Sequence, residues 1–295
     1  MPSSLRSEPV FLRRARPLLG TFVEIRLAAP DMAIAERSLR AGFAAVARVQ
    51  QLMSYHDAGS DVSRLNRHAA RRPVAVHPWT AAVLRRAVRL HRDSGGLFDL
   101  TVASTLARGG WLPENHPTRV HPDATAADIA FLPGPRVRFR RPLRIDLGGI
   151  AKGYAVDRAV SALRRAGALS GTVNAGGDLR AFGPTTEPVL VRAPESPGRL
   201  VPLVAVRDSA LATSAGYFAP RRIGGRVCAP IVDPRTRAPV AGDRSVSVQA
   251  PECWLADALC KIVWLAGAGA ASLLQRHGAR AWVLEARPTS RFHAA

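Results

Sequence analysis

Two stretches of this chain place chemically useful side chains at useful spacing. In residues 144–157, RIDLGGIAKGYAVD, an apolar run ends in Asp146, glycines follow at 148 and 149, and Lys152, Gly153 and Asp157 come after. The pattern predicts a strand that delivers a carboxylate to its end. The glycines then let a backbone turn approach a ligand, and a helix begins near Ala151 with its N-terminal amides open to an anion. An ordinary tight strand-to-helix turn is the plainer reading of a Gly-Gly pair taken alone, and the glycine spacing fits neither a Walker loop nor a Rossmann fingerprint. In residues 254–267, WLADALCKIVWLAG, Asp257 and Lys261 stand at i and i+4 of a helix that is apolar nearly all round, with Cys260 beside them. On an exposed helix such a pair is worth only about a few tenths of a kcal/mol. On a buried helix an unpaired charge is costly, so the pair needs a reason to be there.

The chain has 42 lysines and arginines, yet lysine occurs only at 152 and 261. Coding bias is the plainest cause, and it fits the richness in Ala, Gly, Pro and Arg. Lysine nevertheless supplies a compact ammonium on a flexible stem, which arginine does not, and both lysines fall in the two stretches above. Chance survival of two is the alternative.

Weaker signals lie between them. GGLFDLTV (95–102) sets Phe98 beside Asp99 after a Gly pair, which reads as a ligand-lining turn or a plain helix stop. VNAGGDLRAFG (173–183) holds a second Gly-Gly-Asp turn between two strand patterns. Thr213 and Ser214 offer hydroxyls in a turn of small residues, but no nucleophile-elbow pattern or paired base accompanies them. His56 and His68 read as surface histidines, because no partner sits at ligand spacing.

The elements that must position these residues are legible in outline. Alternation over 21–27 predicts a half-buried strand, and Asp31 caps a helix running to about Leu52. A short helix begins near Ser60, and Pro78 starts another that Ser94-Gly95-Gly96 ends. Residues 107–135 read as a long loop with a short helix near 125–130, and 136–139 with 143–146 as a hairpin leading into the glycine turn. The next helix runs from about 151 to a stop at Gly167. Strand patterns recur at 188–193, 201–206, 245–250 and 280–285, and 231–239 holds a strand-end Asp-Pro turn.

At 295 residues the chain can bury one large core or two modest ones. Its 47% hydrophobic and 22% charged residues are globular values. The net charge of +20 suits acidic small molecules, an anionic membrane surface or nucleic acid. The arginines are scattered singly and in pairs, with no aromatic-basic interleaving and no binding module, so no nucleic-acid partner is expected. Cys228, Cys253 and Cys260 form no CxxC and no disulfide framework. With no signal-peptide core at the N-terminus and no run of about 18 apolar residues, the expectation is a cytoplasmic protein without a transmembrane segment, or an exported one if the start site is set too late.

Taken together, PLLGTFVEI (17–25), MSYHDAGSDVSRLN (53–66), GGLFDLTV, IDLGGIAKGYAVD (145–157), VNAGGDLRAFG, LATSAGY (211–217), IVDPRT (231–236) and ADALCK (256–261) resemble, in order, the motifs of the ApbE family, the FAD:protein FMN transferases. The resemblance covers roughly residues 13–285 as a single domain, leaving tails at 1–12 and 286–295. It implies an α+β fold, a mixed or antiparallel sheet core flanked by helices, with an FAD cleft between lobes. It implies magnesium at the pyrophosphate, and transfer of FMN from FAD to a threonine of an acceptor flavoprotein with release of AMP. Carried over by motif, Leu19 stands where the family has the methionine of MGT, His56 where an aromatic residue contacts FAD, and Leu97, Phe98 and Asp99 at the flavin-binding turn. Asp146 and Lys152 match cofactor-contacting positions, and Ile231 lies in a turn touching the flavin. Gly149 matches a position offering its oxygen to the metal, and Asp257 matches a metal ligand.

Three departures stand out. The second metal ligand, usually a threonine, is here Lys261, with Cys260 just before it as a further candidate ligand. A protonated lysine cannot ligate magnesium, but it could take the metal's place against the pyrophosphate. Pro230 replaces a usual histidine, and Arg237 a usual glycine. The resemblance therefore leaves two readings: an active transferase using Asp257 and Lys261, or an FAD-binding protein of the same fold that has lost transfer.

Overall fold

The computed structural model describes residues 8–114 and 119–285. Its spine is an antiparallel seven-stranded sheet in the order β1-β2-β6-β7-β10-β14-β15. The strands are β1 (Val10–Leu18), β2 (Thr21–Ala29), β6 (Ser170–Ala175), β7 (Asp178–Phe182), β10 (Ala210–Ala215), β14 (Arg244–Ala250) and β15 (Arg280–Glu285). Period-two patterning selects the buried face: Val23, Ile25 and Leu27 of β2 point inward, while Glu24 and Arg26 stay partly solvated. Three helices cover that face, α1 (Met32–Met53), α5 (Ala151–Ala166) and α6 (Cys253–Ala266). Asp31 caps α1, its carboxylate accepting from the Ile34 amide at 2.7 Å. Gly167 stops α5 in the left-handed region at φ 103°.

α6 packs against α5, β7, β10 and β14, which explains why it is apolar on every side. Together with the following turn and α7 (Ala271–Arg276) it makes a helical stretch of 24 residues, Cys253–Arg276, long and apolar enough to cross a membrane. The sequence did not suggest a run of that length. Over half of its most apolar window is buried inside the fold, as in a core helix.

Smaller units frame the site. β3 (Val74–Ala75), β4 (Ile129–Leu132) and β5 (Arg136–Phe139) pair in the order β3-β5-β4, beside α2 (Asp61–His68) and α3 (Pro78–Asp93). α4 (Ala103–Arg108) touches the three-stranded sheet of β11 (Arg221–Ile223), β12 (Arg226–Asp233) and β13 (Ala238–Ala241). The hairpin of β8 (Thr186–Ala193) and β9 (Ser196–Arg207) buries Val189, Val191 and Val206 against Leu179 and Leu211 in a second, smaller core.

Several sequence expectations change. β1 begins at Val10, so residues 10–12, assigned to a tail, are paired strand. Residues 1–7 and 286–295 lie outside the described residues. The partners of β5 are β4 and β3, and 143–146 is not a strand. That segment is held extended by Asn66, whose amide accepts from the Ile145 N–H at 2.8 Å and donates to the Ile145 carbonyl at 3.0 Å, while the Asp146 N–H donates to Leu100 at 3.0 Å. Side-chain amides can satisfy a backbone that has no neighbouring strand, and periodicity alone cannot distinguish the two. Thr213 and Ser214 lie within β10, not in a turn.

Candidate active site

The residues of both chemical stretches meet on the wall of one cavity of about 600 Å³. The β1–β2 hairpin supplies Leu19 and Gly20, both in the left-handed region at φ 57° and 70°. A two-residue hairpin turn demands that conformation, and glycine meets it without strain. Leucine does not, so an apolar side chain is held at the cavity wall against backbone preference. The Leu19 N–H is fixed at 2.6 Å on the Gln50 side chain of α1. The segment after α3 brings Leu97, Phe98 and Asp99, and the turn before α5 brings Asp146, Gly148 and Gly149. β10 adds Thr213 and Ser214, β12 adds Pro230 and Ile231, and the two lysines complete the lining.

Behind that wall two aspartates back the two lysines. Lys152 of α5 donates to the carboxylate of Asp178, in the second Gly-Gly-Asp turn, and Lys261 of α6 donates to the carboxylate of Asp257. Lys261 also donates to the Asp257 carbonyl at 2.9 Å, while the other Asp257 oxygen accepts from the Gly153 N–H at 3.1 Å. The two carboxylate side chains are 2% and 0% exposed, whereas those of Lys152 and Lys261 are 35% and 20% exposed. Negative charge is thus buried and positive charge faces the cavity. Burial alone would pull the Lys152 ammonium down, but Asp178 and Asp257 together outweigh it and its pKa is raised. Burial would raise Asp257, but Lys152 and Lys261 hold it below the usual carboxylate range. Asp178 goes the other way, raised by burial and by the neighbouring Asp257 charge.

Nine of the sequence-selected residues line the cavity: Leu19, Leu97, Phe98, Asp99, Asp146, Gly149, Lys152, Ile231 and Lys261. Asp99 also has a structural duty, accepting from the Thr101 N–H at 2.8 Å. Burial pushes the Asp146 carboxyl up, against the pull of the Gly148 amide and of His56. Three others sit elsewhere. His56 is exposed and off the cavity wall, near enough to Asp146 only to act through its charge. Cys260 is buried against β10 and off the cavity wall, its thiol 3.3 Å from the Ala212 carbonyl, and burial pushes it up to about 12. Asp257 stands one layer back, reached through Lys261. The free first turn expected of α5 is only partly so, since the Ala151 N–H is taken by Leu147 and the Gly153 N–H by Asp257. Sequence reasoning noted the second Gly-Gly-Asp turn and the hydroxyls of Thr213 and Ser214 but gave none of them a place in the site, because glycines before an aspartate and small polar residues carry no signal of a partner.

Residues 19–283 match the family model described as the ApbE family. The chain belongs to the ApbE family. A protein of Rhodobacter capsulatus named FAD:protein FMN transferase is 33% identical over 213 residues, a match covering 68% of this chain and 40% of that relative. One of the same name from Vibrio cholerae is 30% identical over 227 residues, covering 72% of this chain and 68% of the relative. The solved ApbE protein of Thermotoga maritima superposes with a TM-score of 0.79 at 26% identity, over 96% of this chain and 97% of that one. The flavin transferase ApbE of Vibrio cholerae superposes equally well at 0.79 and 23% identity, covering 98% of each chain, a likeness of fold. The α+β architecture expected from the sequence is that of this family.

The three departures now have physical contexts. Arg237 occupies a left-handed position, φ 55°, that suits glycine. In exchange its guanidinium donates to the Ala124 carbonyl at 2.6 Å and to the Thr101 carbonyl and hydroxyl at 3.3 Å each, tying its own turn to the short helical turn 100–102 and to the segment at Ala124. Pro230 lines the cavity where a histidine could have worked, and none of the lining residues is a histidine. The donors present do not fit magnesium. Both Asp257 oxygens are engaged by protein donors, the Cys260 thiol is taken by the Ala212 carbonyl off the cavity wall, and Lys261 presents an ammonium where a ligand oxygen would be needed. Among the described residues no three His, Cys, Asp or Glu side chains gather as a metal site.

Proposed function

We propose that this chain binds FAD in the 600 Å³ cavity and moves its FMN half to a threonine hydroxyl of an acceptor flavoprotein, releasing AMP. The observation that carries the reading is the convergence of the family's signature residues, apolar on one side and cationic on the other, on a single cavity. Leu19, Leu97, Phe98 and Ile231 offer the flat apolar contacts an isoalloxazine needs. Lys152 and Lys261 face the pyrophosphate, and the Gly148–Gly149 turn lets its oxygens approach backbone.

Phosphoryl transfer asks for an in-line nucleophile and neutralised phosphate oxygens. The incoming hydroxyl oxygen bonds to the FMN phosphorus as the bond from that phosphorus to the bridging oxygen breaks, and AMP leaves with that oxygen. Asp146, half-buried at the cavity wall with its carboxyl raised, takes the hydroxyl proton. The surplus of arginine attracts both the anionic cofactor and an acidic acceptor.

The test is to incubate the protein with FAD and a flavoprotein bearing a candidate acceptor threonine, then look for covalent fluorescent flavin on the acceptor and free AMP. FAD that binds but is never transferred, to any acceptor and with any divalent ion, refutes the transferase and leaves a binding protein.

A further inference from the structure

Lys261 does more than lack a ligand oxygen. Its stem lies along the turn at Gly149, where a Cβ added to that glycine would meet the Lys261 Cε at 3.6 Å. Its ammonium is held from behind by the Asp257 carboxylate and carbonyl, and its exposed side faces the cavity. Lys152, on the neighbouring helix, is held in the same manner by Asp178. In a chain whose other basic residues are all arginine, the only two lysines form one pair of ammonium groups on the wall of one cavity. Two buried carboxylates fix them in place, so neither side chain has to be ordered when an anion arrives. A divalent ion brings two positive charges to a pyrophosphate, and this pair brings two covalently attached ammonium groups, each partly offset by the carboxylate behind it.

We propose that Lys261 with Lys152 replaces the divalent cation, so that this chain binds the FAD pyrophosphate and transfers FMN without metal. The inference rests on the FAD reading above. In the transfer step the two ammonium groups neutralise the non-bridging oxygens and the charge that grows on the departing AMP, while the bonds made and broken are those already given.

The test uses the full chain stripped of metal, with FAD affinity read by flavin fluorescence quenching in chelator and again in excess magnesium. Expected is a dissociation constant that agrees within about twofold between the two conditions. Magnesium tightening wild-type binding by about tenfold or more, equivalent to about 1.4 kcal/mol, overturns the proposal. Lys261→Thr exchanges the ammonium for an oxygen and frees one Asp257 oxygen. It is expected to lose about tenfold or more in chelator and to regain most of it in magnesium, whereas Lys261→Met loses as much and regains nothing. A Lys261→Thr protein that binds FAD like wild type in chelator also overturns it. Single-turnover transfer in chelator at the rate seen with magnesium supports it, and transfer only with magnesium refutes it. If FAD fails to bind wild type under either condition, the FAD reading fails and this inference with it. Tight metal-independent binding without transfer under any condition would refute the transferase and the metal-free transfer step with it, and would support the replaced cation in binding only.

Discussion

Asp157 closes the signature stretch, and its substitution tests whether that stretch is a frame as much as a site. Its carboxylate reaches from α5 to the start of α6, accepting from the Cys253 N–H at 3.0 Å and the Trp254 N–H at 2.9 Å. It also accepts from Arg180 of β7 at 2.5 Å. Glu252, at the α6 N-cap, makes no side-chain capping bond, so the cap comes from another helix. The two helices are close enough that a Cβ on Gly153 would lie 2.3 Å from the Cys253 carbonyl oxygen. This contact places Asp257, one turn further along α6, against the Gly153 N–H.

Asp157→Asn keeps the shape and one accepting oxygen but turns an NH₂ toward a donor. One orphaned buried amide costs about 1–3 kcal/mol. The Arg180 side chain is 18% exposed, so losing its counter-charge costs less than the roughly 3–5 kcal/mol of a fully buried broken pair. Burial also pushes the Asp157 carboxyl up despite Arg180 and the two amides, so much of the ion's Coulomb gain is already cancelled by desolvation. The total expected is about 2–4 kcal/mol, a large share of the roughly 5–15 kcal/mol of a whole domain. The assay is urea denaturation, with the change read as a lower midpoint at constant slope. The control is Asp31→Ala, which removes one exposed cap bond from α1 and costs roughly 0.5–2 kcal/mol. If Asp157→Asn unfolds at the wild-type midpoint or above that of Asp31→Ala, the cross-helix cap is not what fixes α6.

Arg237→Gly relieves the left-handed backbone, worth roughly 1 kcal/mol, but deletes the guanidinium bonds to Ala124 and Thr101. A net loss of about 1–2 kcal/mol is expected, and a stabilised variant in the same urea assay would contradict it. Asp146→Asn should bind FAD within a few-fold of wild type while single-turnover transfer falls about 10²–10⁴-fold. Unchanged transfer would remove Asp146 as the proton acceptor. Cys260 rises from 9.0 to about 12 and Cys253 also rises well above 9.0, so their contribution to stability is complete below pH 9 and is lost as pH climbs toward the folded values. Unfolded thiols ionise first, so roughly 2–3 kcal/mol should disappear between pH 8 and 10 for the two together. A urea midpoint that does not fall over that interval would show the thiols to be less buried than they are here.

The elements were legible where a single physical signal dominated. Asp31 and Ser60 are helix caps with their expected bonds to the Ile34 and Ser63 amides, and Gly167 ends α5 where expected. The all-round apolarity of α6 reported its burial correctly. Expectation failed where a remote partner decided the outcome. Residues 143–146 look like a strand because their apolar alternation matches one, but the group that satisfies their backbone is Asn66, 79 positions earlier in the chain. No local pattern encodes that. The β10 residues Thr213 and Ser214 look like a turn because they are small and polar. They form the middle of the sheet because β14 supplies the ladder and Ser247 a hydroxyl partner at 2.8 Å from Thr213.

The candidate site was legible for a different reason. The motif order selected nine residues that share a cavity, but motif matching assigns each position a role the family gives it, and three side chains are turned otherwise. His56 and Cys260 carry side chains capable of ligation, but neither lines the cavity. Asp257 is in the right place, but it meets a lysine before it can meet an ion. Motif order included Asp178 but could not supply its role, because that role comes from Lys152, and Lys152 was read as a ligand contact with no counter-ion. Burying a carboxylate behind each lysine turns two flexible side chains into fixed charges. Arginine could provide the charge but not the compact donor that fits between a carboxylate and a phosphate. The two lysines of the chain therefore stand together where a compact donor backed by a carboxylate faces the cavity, and arginine carries the positive charge elsewhere.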